Sequence, residues 1–270
     1  MFEEAPSTAW RLRFGEDAPA EADRLGRFFS HRSVRRFQPD PVPETLVRSL
    51  IGAAQSAATS SNLQLWSVVT VQQPDRRAEM VELCAGQRQV AEAAWFFAFV
   101  ADHHRLRHAL EGTSDEPDAL GTTEMFTVSA IDAALAAERM VCAAEAVGLG
   151  ICYIGAMRND PVGVAKLLEL PHGTIGLFGL CVGWPDESKP AEIKPRLLPE
   201  AVWHREMYGK SDVTEYDERM AAFYETQGMD ASMSWSRRSG RRTQHRGVGI
   251  RHAWGDALRR RGFCTSDDQS

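Results

Sequence analysis

The sequence predicts an α+β fold in which helices surround a modest sheet, and two observations support this prediction. Short β-rich runs and helical stretches are mixed without the regular alternation of a parallel α/β protein. Strands are few for a chain of 270 residues, whereas the stretch 128–147 has the apolar period of one long helix. With 43% apolar and 9% aromatic residues, the chain can bury a substantial core.

The elements follow from local patterns, taken in chain order. Residues 1–20 are rich in Ala, Pro, Glu and Asp and predict a loose N-terminal extension, whereas residues 21–270 predict a single domain. Runs rich in apolar, β-branched and aromatic residues predict strands at 65–71, 95–100, 151–154 and 175–182. Pro43 and Pro74 each open a helix, and helices are also predicted at 21–29, 160–170 and 252–261.

The C-terminal part differs from the remainder in charge. The whole chain has a net charge of −6, but residues 237–262 contain nine arginines and a single acid, Asp256. Because the remainder is strongly acidic, we expect no nucleic-acid partner. Residues 203–270 have a helical period but little apolar mass, so they need another surface to pack on. A second subunit is the natural candidate, and the sequence predicts a homodimer embraced by this basic excursion.

Cysteine usage and hydropathy indicate the compartment. The five cysteines form no CxxC pair, and four of them lie in apolar settings, which is typical of reduced thiols in a cytosolic protein. The N-terminus lacks the apolar segment of a secretory signal. The longest uncharged apolar run, 93–101, is too short to cross a bilayer. We therefore expect a cytoplasmic protein without a membrane span.

Several common catalytic motifs are absent from the sequence. There is no GxSxG, HExxH or P-loop motif, and the Gly-x-Gly at 148–150 follows a helix rather than a strand. His104 and His108 are spaced to share a helix face beside Asp102 and His103, where a metal could in principle bind. Because no closing ligand is nearby in sequence, a solvated helix face is the simpler interpretation, and we predict no metal site.

Two cationic clusters suggest an anion site. Residues 31–35, HRSVR, hold Arg32 and Arg35 three positions apart, where two guanidiniums share a face cheaply only around an anion such as phosphate. Lys194 and Arg196 flank a proline, which stiffens a loop suited to the other half of a phosphate clamp. Taken alone, each cluster also fits a solvated surface turn, so both interpretations stay open at this point.

Two further segments lie beside predicted strands. Residues 59–64, TSSNLQ, supply neutral donors and acceptors, although such a run also caps a helix and begins a turn. Residues 153–156, YIGA, end a strand at a glycine that permits close approach of a ligand to the backbone.

Together, these motifs resemble those of the nitroreductase-like FMN-dependent oxidoreductases, in the branch of the major oxygen-insensitive nitroreductase and the NADPH-flavin oxidoreductase. The resemblance covers residues 31–210 well and is carried by HRSVRRF, PVPETLVRSLIGAAQSAATSSNLQ, AGQRQVAEAAWFFAFVAD, AAEAVGLGICYIGAMRNDP, LFGLCVGWP and KPRLLP. It implies a central, mainly antiparallel sheet surrounded by helices, in an intertwined homodimer with exchanged C-terminal segments. It also implies two FMN sites at the subunit interface.

The resemblance assigns residues to this cofactor. The FMN phosphate and ribityl chain are expected against His31, Arg32, Ser33, Val34, Arg35, Lys194 and Arg196. The flavin ring is expected beside Gln87, Tyr153, Ile154, Gly155 and Ala156, with Ser60, Asn62 and Gln64 coming from the other subunit. Relatives often carry glycine in place of Ala156 and a bulkier residue in place of Asn62, so the room above the ring is expected to differ.

The implied activity is NAD(P)H oxidoreduction by ping-pong hydride transfer through FMN, with nitroaromatics, quinones or free flavins as the small-molecule oxidant. Arg32 is expected to stabilise the anionic reduced flavin electrostatically, and no residue is assigned to proton transfer. NADPH is the expected co-substrate, with NADH as the alternative.

Three arginines are candidates to contact the substrate or NADPH. Arg251 aligns with a substrate-contacting arginine of the relatives. In those relatives a mobile loop recognises the NADPH 2′-phosphate through arginines, but the comparable stretch here, 226–234, contains none. Arg237 and Arg238 follow soon after and either replace those arginines or belong to a solvated basic tail.

Two other functions stay open on the sequence alone. The same fold serves dehalogenation or flavin modification, which the residues at Ala156 and Asn62 favour. A non-catalytic FMN-binding protein is the third possibility.

Overall fold

The computed structural model of the chain describes residues 4–265, which form two compact units. The helical unit comprises the residues up to 32 together with 191–249, and the sheet unit comprises 33–190 together with the residues from 250 onward. The helices are, in chain order, α1 Pro6–Phe14, α2 Glu44–Gln55, α3 Pro74–Leu83, α4 Arg88–Glu92, α5 His104–Leu110, α6 Thr123–Ala146, α7 Pro161–Leu167, α8 Thr214–Thr226, α9 Trp235–Arg242, α10 His245–Val248 and α11 Trp254–Arg260.

A four-stranded antiparallel sheet forms the centre of the sheet unit. Its strands are β1 Trp66–Thr70, β2 Trp95–Asp102, β3 Gly150–Ile154 and β4 Thr174–Gly183, in the spatial order β1-β2-β4-β3. The two central strands are almost continuously buried, which is why they appear in the sequence as unbroken apolar runs. The predicted antiparallel sheet is confirmed, and the strand ends differ from the prediction by at most two residues.

The long helix α6 packs on this sheet through small and apolar side chains. Its buried face and the strand residues it joins form the main core: Ala136, Ala137, Met140, Val141, Ala144, Phe97, Phe99, Leu180 and Val182. Alanine side chains let the helix axis approach the sheet closely while the phenylalanines fill the layer between them. Gly148 then takes a left-handed φ of 85°, and the chain turns from α6 directly into β3.

The edge strand β3 is flanked by the segment that precedes α2. Ser33 and Ile151 form a parallel bridge, in which the Val34 N–H donates to the Ile151 carbonyl at 2.8 Å. The approach is so close that a Cβ on Gly150 would lie 2.7 Å from the Val34 side chain. Glycine is therefore required where the two segments meet.

The N-terminal segment differs from the predicted loose extension because residues 6–14 form α1. Proline opens the helix at Pro6, and Gly15 ends it with a left-handed φ of 79°. The Trp10 ring lies 4.4 Å from the Phe14 ring and 5.0 Å from that of Phe29, which belongs to a 3-10 segment, Ala20–Ser30. These aromatic contacts hold the segment, although its composition suggested a solvated tail.

The C-terminal part divides differently from the predicted domain 21–270 with an excursion at 203–270. In the helical unit, Tyr216, Met220 and Tyr224 of α8 pack against Trp235 of α9. The excursion begins at 191, and the chain returns to the sheet unit at 250 because α11 has an apolar face that packs there. Whether the excursion embraces a second subunit stays a prediction. Over the described residues, none of the helices combines the length and apolar character that spanning a bilayer requires.

Candidate functional site

The end of β3 presents a neutral, largely apolar surface. Ile154 and Ala156 are buried, and the intervening Gly155 begins a 3-10 turn, Gly155–Arg158. Tyr153 is 38% exposed, its hydroxyl lies 3.2 Å from the Glu138 carboxylate, and partial burial together with that carboxylate raises the pKa of the phenol. Tyr153 therefore stays protonated and donates to Glu138 across the accessible pH range. A flat aromatic group that packs against Tyr153 would therefore meet a neutral phenol rather than a phenolate.

The predicted segment 33–35 lies beside this strand within the sheet unit. The Ser33–Ile151 bridge places Ser33 and Val34 alongside β3, two residues before Tyr153. Arg35 is exposed, and its Nη1 donates to the Ser33 carbonyl at 3.2 Å. Two groups of predicted site residues that are distant in sequence are thus neighbours in the sheet unit.

The polar loop 59–64 is held by an acid that the sequence analysis did not single out. Asp132 of α6 is 1% exposed and accepts hydrogen bonds from the Thr59 hydroxyl at 2.5 Å, the Ser60 N–H at 3.0 Å and the Leu65 N–H at 3.2 Å. The Thr59 hydroxyl in turn accepts from the Gln64 N–H at 2.9 Å. One buried carboxylate therefore fixes both ends of the loop.

This loop also carries backbone strain. Ser61, Asn62 and Gln64 all have left-handed φ values, of 47°, 55° and 51°, although none is glycine. Left-handed backbone is disfavoured for such residues and persists only where the surroundings determine it. The predicted site residues Ser60, Asn62 and Gln64 remain exposed. The loop is accordingly held in a specific shape with its polar side chains available to a ligand or a second chain.

Two other predicted residues of the sheet unit have defined surroundings. Gln87 is half-buried at the start of α4, where its side-chain oxygen accepts from Gln89 at 2.9 Å. Arg251 donates through Nε to the Asn159 side chain at 2.8 Å. Asn159 directly follows the 3-10 turn that contains Ala156, so the side chain that binds Arg251 lies three positions after the predicted ring-lining segment.

In the helical unit, one buried guanidinium joins the two predicted cationic clusters. Arg13 of α1 is 7% exposed and donates to the carbonyls of Phe29, His31 and Lys194. The Arg13 carbonyl accepts from the Arg196 N–H at 2.8 Å. The segment at His31 and the Lys194–Arg196 turn are thus brought to the same arginine, as a phosphate clamp requires.

Arg32 is paired in a way that the sequence did not predict. Its guanidinium forms a hydrogen-bonded ion pair with Glu4 and also donates to the Ser30 carbonyl at 3.0 Å and the Ala191 carbonyl at 3.3 Å. Burial alone would raise the pKa of Glu4, but the hydrogen bond and charge of Arg32 outweigh this effect and hold that pKa below its usual range. The carboxylate is therefore ionised at neutral pH, and the Arg32 charge is partly balanced.

The other predicted site cations of the helical unit differ in their surroundings. Lys194 and Arg196 are exposed, and the Arg196 guanidinium donates to the Pro195 carbonyl at 3.2 Å. Arg238 is used by its own unit: it lies over the Tyr224 ring at 4.4 Å and donates to the Met233 carbonyl at 3.1 Å. Arg237 is exposed at the surface of α9.

The chemistry of this donor set fits a phosphorylated flavin. Exposed Lys194 and Arg196 offer charged donors for a dianionic group, and guanidinium and ammonium donors are the usual ligands of phosphate. At the end of β3, Tyr153 is 38% exposed and offers a neutral aromatic surface for an isoalloxazine ring. Among residues 4–265, the structure contains no group of three or more His, Cys, Asp or Glu side chains arranged to hold a metal. His103 is fully buried with Nε2 2.9 Å from the Ser129 hydroxyl, so it serves the core.

Comparison with known proteins places this arrangement in a family. The chain matches the Nitroreductase family over residues 29–184 and the C-terminal domain of that family over residues 194–266. It is 38% identical over 211 residues to the oxygen-insensitive NADPH nitroreductase of Salmonella typhimurium, covering 76% of this chain and 85% of that protein. It is 38% identical over 202 residues to the FMN reductase (NADPH) of Bacillus subtilis, covering 72% and 80%. The solved structure of NfrA1 from B. megaterium has a TM-score of 0.80 at 35% identity and covers 87% of this chain and 96% of that one. Because the first match alone spans more than half of the chain, the protein belongs to the nitroreductase family.

Proposed function

We propose that this protein is an FMN-dependent oxidoreductase that takes its reducing equivalents from NADPH. The observation that carries the proposal is its 38% identity to two reductases whose names include NADPH and, in one case, FMN. Both names describe reductases, which does not favour dehalogenation, flavin modification or non-catalytic binding. NADPH is accordingly preferred to NADH as co-substrate.

The family resemblance assigns residues of each of the two units to FMN. In the helical unit, exposed Lys194 and Arg196 would hold the FMN phosphate, and buried Arg32 would place a fixed positive charge for the flavin. Arg35 belongs to the sheet unit, where it is exposed, and only the family resemblance assigns it to the phosphate. Because the resemblance alone assigns these contacts, they stay predictions for this chain.

The reaction needs orientation and electrostatics from the protein rather than an acid or base. FMN, when bound, supplies the redox chemistry by accepting hydride from NADPH and passing it to an oxidant. Tyr153 would stay neutral beside the ring, and the buried side chains of Ile154 and Ala156 would support the backbone that lies against it. Nitroaromatics, quinones and free flavins are the proposed oxidants, and reduction by NADPH and oxidation would alternate at one face.

We also propose that the functional unit is a homodimer. The face of α6 that points away from the sheet exposes Ile131 and Leu135, one helical turn apart, with 52% and 45% of their surfaces exposed. The exposed loop 59–64 is anchored to the same helix turn through Asp132. An apolar stripe next to exposed polar site residues is what a subunit interface that completes a ligand site requires. The cytoplasmic location stays a prediction.

The proposal is tested on the purified protein. We expect it to be yellow as isolated, or to become so with added FMN, and to lose flavin absorbance on anaerobic addition of NADPH. Menadione or a nitroaromatic should then restore the absorbance, and stopped-flow traces should show faster reduction by NADPH than by NADH. A colourless protein that does not bind added FMN would overturn the proposal.

A further inference from the structure

We infer that Arg13 is a positioning residue of the FMN phosphate site, an inference that rests on the proposed function. Arg13 lies on α1, outside the two ranges that match the nitroreductase family, 29–184 and 194–266. Its guanidinium nevertheless binds main-chain carbonyls of both predicted cationic clusters, those of His31 and Lys194, within the helical unit. The positioning role follows from the hydrogen bonds that the Arg13 guanidinium makes.

The Arg13 side chain uses all three of its nitrogens on backbone carbonyls. Nε and Nη2 donate to the Phe29 carbonyl at 3.0 and 2.9 Å, Nη2 also donates to the His31 carbonyl at 2.5 Å, and Nη1 donates to the Lys194 carbonyl at 3.2 Å. A planar, fixed fork that reaches several acceptors at once is specific to arginine. The guanidinium therefore sets the separation between the chain at His31 and the chain at Lys194.

The backbone carbonyl of Arg13 also binds the far end of the turn 194–196. Its carbonyl accepts from the Arg196 N–H at 2.8 Å and from Arg219 Nη1 at 3.3 Å. Lys194 and Arg196 have long, exposed side chains, so the placement of their Cα atoms decides whether both can reach the same phosphate oxygens. Their Cα positions depend on contacts made by Arg13, which itself is 7% exposed and therefore presents little surface to a ligand.

Two possible roles of Arg13 can be told apart by measuring the affinities for FMN and for riboflavin. In one role Arg13 merely stabilises the fold, and in the other it positions the phosphate site. Loss of general stability weakens binding of FMN and of riboflavin alike, because both carry the same ring. Loss of phosphate positioning weakens FMN binding and leaves riboflavin, which has no phosphate, nearly unaffected. The ratio of the two dissociation constants therefore reports on Arg13 specifically.

The experiment titrates the full-length apoprotein with FMN and with riboflavin, following quenching of flavin fluorescence. Arg13→Ala should reduce the preference for FMN over riboflavin by about tenfold or more, the effect of losing a hydrogen bond to a charged group. Arg13→Lys, which keeps the charge but not the fork, should give an intermediate preference. Arg11→Ala is the matched control, since Arg11 lies on the same helix and pairs only with exposed Asp17 in the described contacts, and it should behave as wild type.

Two outcomes would overturn the inference. One is an unchanged preference for FMN in Arg13→Ala and Arg13→Lys, and the other is a parallel fall in affinity for both ligands. If Arg13→Ala does not fold, Arg13→Lys decides by the same criterion. A wild-type protein that binds neither flavin refutes the proposed function itself, whereas a wild type that prefers FMN tests Arg13 alone.

A double-mutant cycle with Lys194→Ala gives an independent measurement. If Arg13 acts through the Lys194 turn, the Arg13→Ala change should weaken FMN binding less in the Lys194→Ala background than in the wild type. Full additivity of the two changes would contradict the positioning role.

Discussion

Replacing Asp132 by alanine should destabilise the protein and release the loop 59–64. The carboxylate accepts three hydrogen bonds, and the Leu65 N–H among them is buried with that residue 1% exposed. Leaving a buried donor without a partner costs about 1–3 kcal/mol, and losing two further charge-assisted bonds, which water can partly replace, costs about 1 kcal/mol each. The expected decrease in the free energy of unfolding is therefore about 3–5 kcal/mol.

The conformation of the loop 59–64 should change more than the loss of overall stability suggests. The left-handed residues Ser61, Asn62 and Gln64 each carry strain of about 1 kcal/mol or more, and this strain is maintained by the Asp132 anchor. Without the anchor, the loop should relax towards ordinary backbone angles. Asp132→Asn keeps one acceptor and should lose about half as much stability as Asp132→Ala.

Urea unfolding at a fixed protomer concentration measures the first effect, and amide hydrogen exchange of residues 59–65 measures the second. Glu124→Ala provides a matched control, because Glu124 is an exposed carboxylate in the first turn of the same helix and should change stability by less than about 1 kcal/mol. Wild-type stability in Asp132→Ala, or unchanged exchange at the Ser60 and Leu65 amides, would refute the reasoning.

Three further predictions follow from other parts of the molecule. Lys194→Ala should weaken FMN binding by about 1.5–3 kcal/mol, the range for hydrogen bonds to charged groups, and a dissociation constant equal to that of wild type would remove Lys194 from the site. Burial raises the pKa of Cys84 to about 12 from 9.0, so a thiolate-specific reagent at pH 8 should label it only after unfolding. Rapid labelling of the native protein would contradict the burial of this thiol. Above pH 9.0 the native state keeps a proton on Cys84 that the unfolded state loses, so the free energy of unfolding should fall as the pH rises. Urea unfolding midpoints measured across that pH range would detect the fall. Ile131→Asp should shift the protein from dimer to monomer in sedimentation analysis, whereas Ile131→Leu should not, and a wild-type monomer would contradict the proposed assembly.

The sheet was predictable because its strands have a strong local signature. Strands β2 and β4 are buried along nearly their whole length and therefore appear as nearly uncharged runs of apolar residues and glycine. The order of the strands was not predictable in this way, since pairing between residues as distant as Trp95 and Val182 depends on the whole fold. The expectation of a mainly antiparallel sheet came from the family resemblance.

The role of α1 could not be predicted, for a physical reason. Arg13 is buried, but its partners are backbone carbonyls, which every residue has, so no pattern of residue types marks the contact. The same holds for Glu4, an acid among several acids near the N-terminus that pairs with Arg32. Composition is a poor guide wherever a charged side chain is satisfied by the main chain or by a single distant partner.

The sequence did contain a signal for Asp132, the residue that anchors the loop 59–64. Asp132 interrupts the apolar stripe of α6 between Val128 and Ala136, and a lone acid on a buried helix face needs a partner. The left-handed conformations of Ser61 and Asn62 had none, because glycine usually marks such backbone. The structure shows the predicted site residues of this loop exposed, and their role at a flavin stays a prediction. The shape of the loop was visible only in the structure.

Ile131 and Asp132 are adjacent on α6, with Ile131 exposed at the outer surface and Asp132 buried against the loop. A rotation of α6 about its own axis would therefore displace the two side chains together. A second chain that packs on Ile131 would therefore contact the helix turn whose next residue holds the loop 59–64.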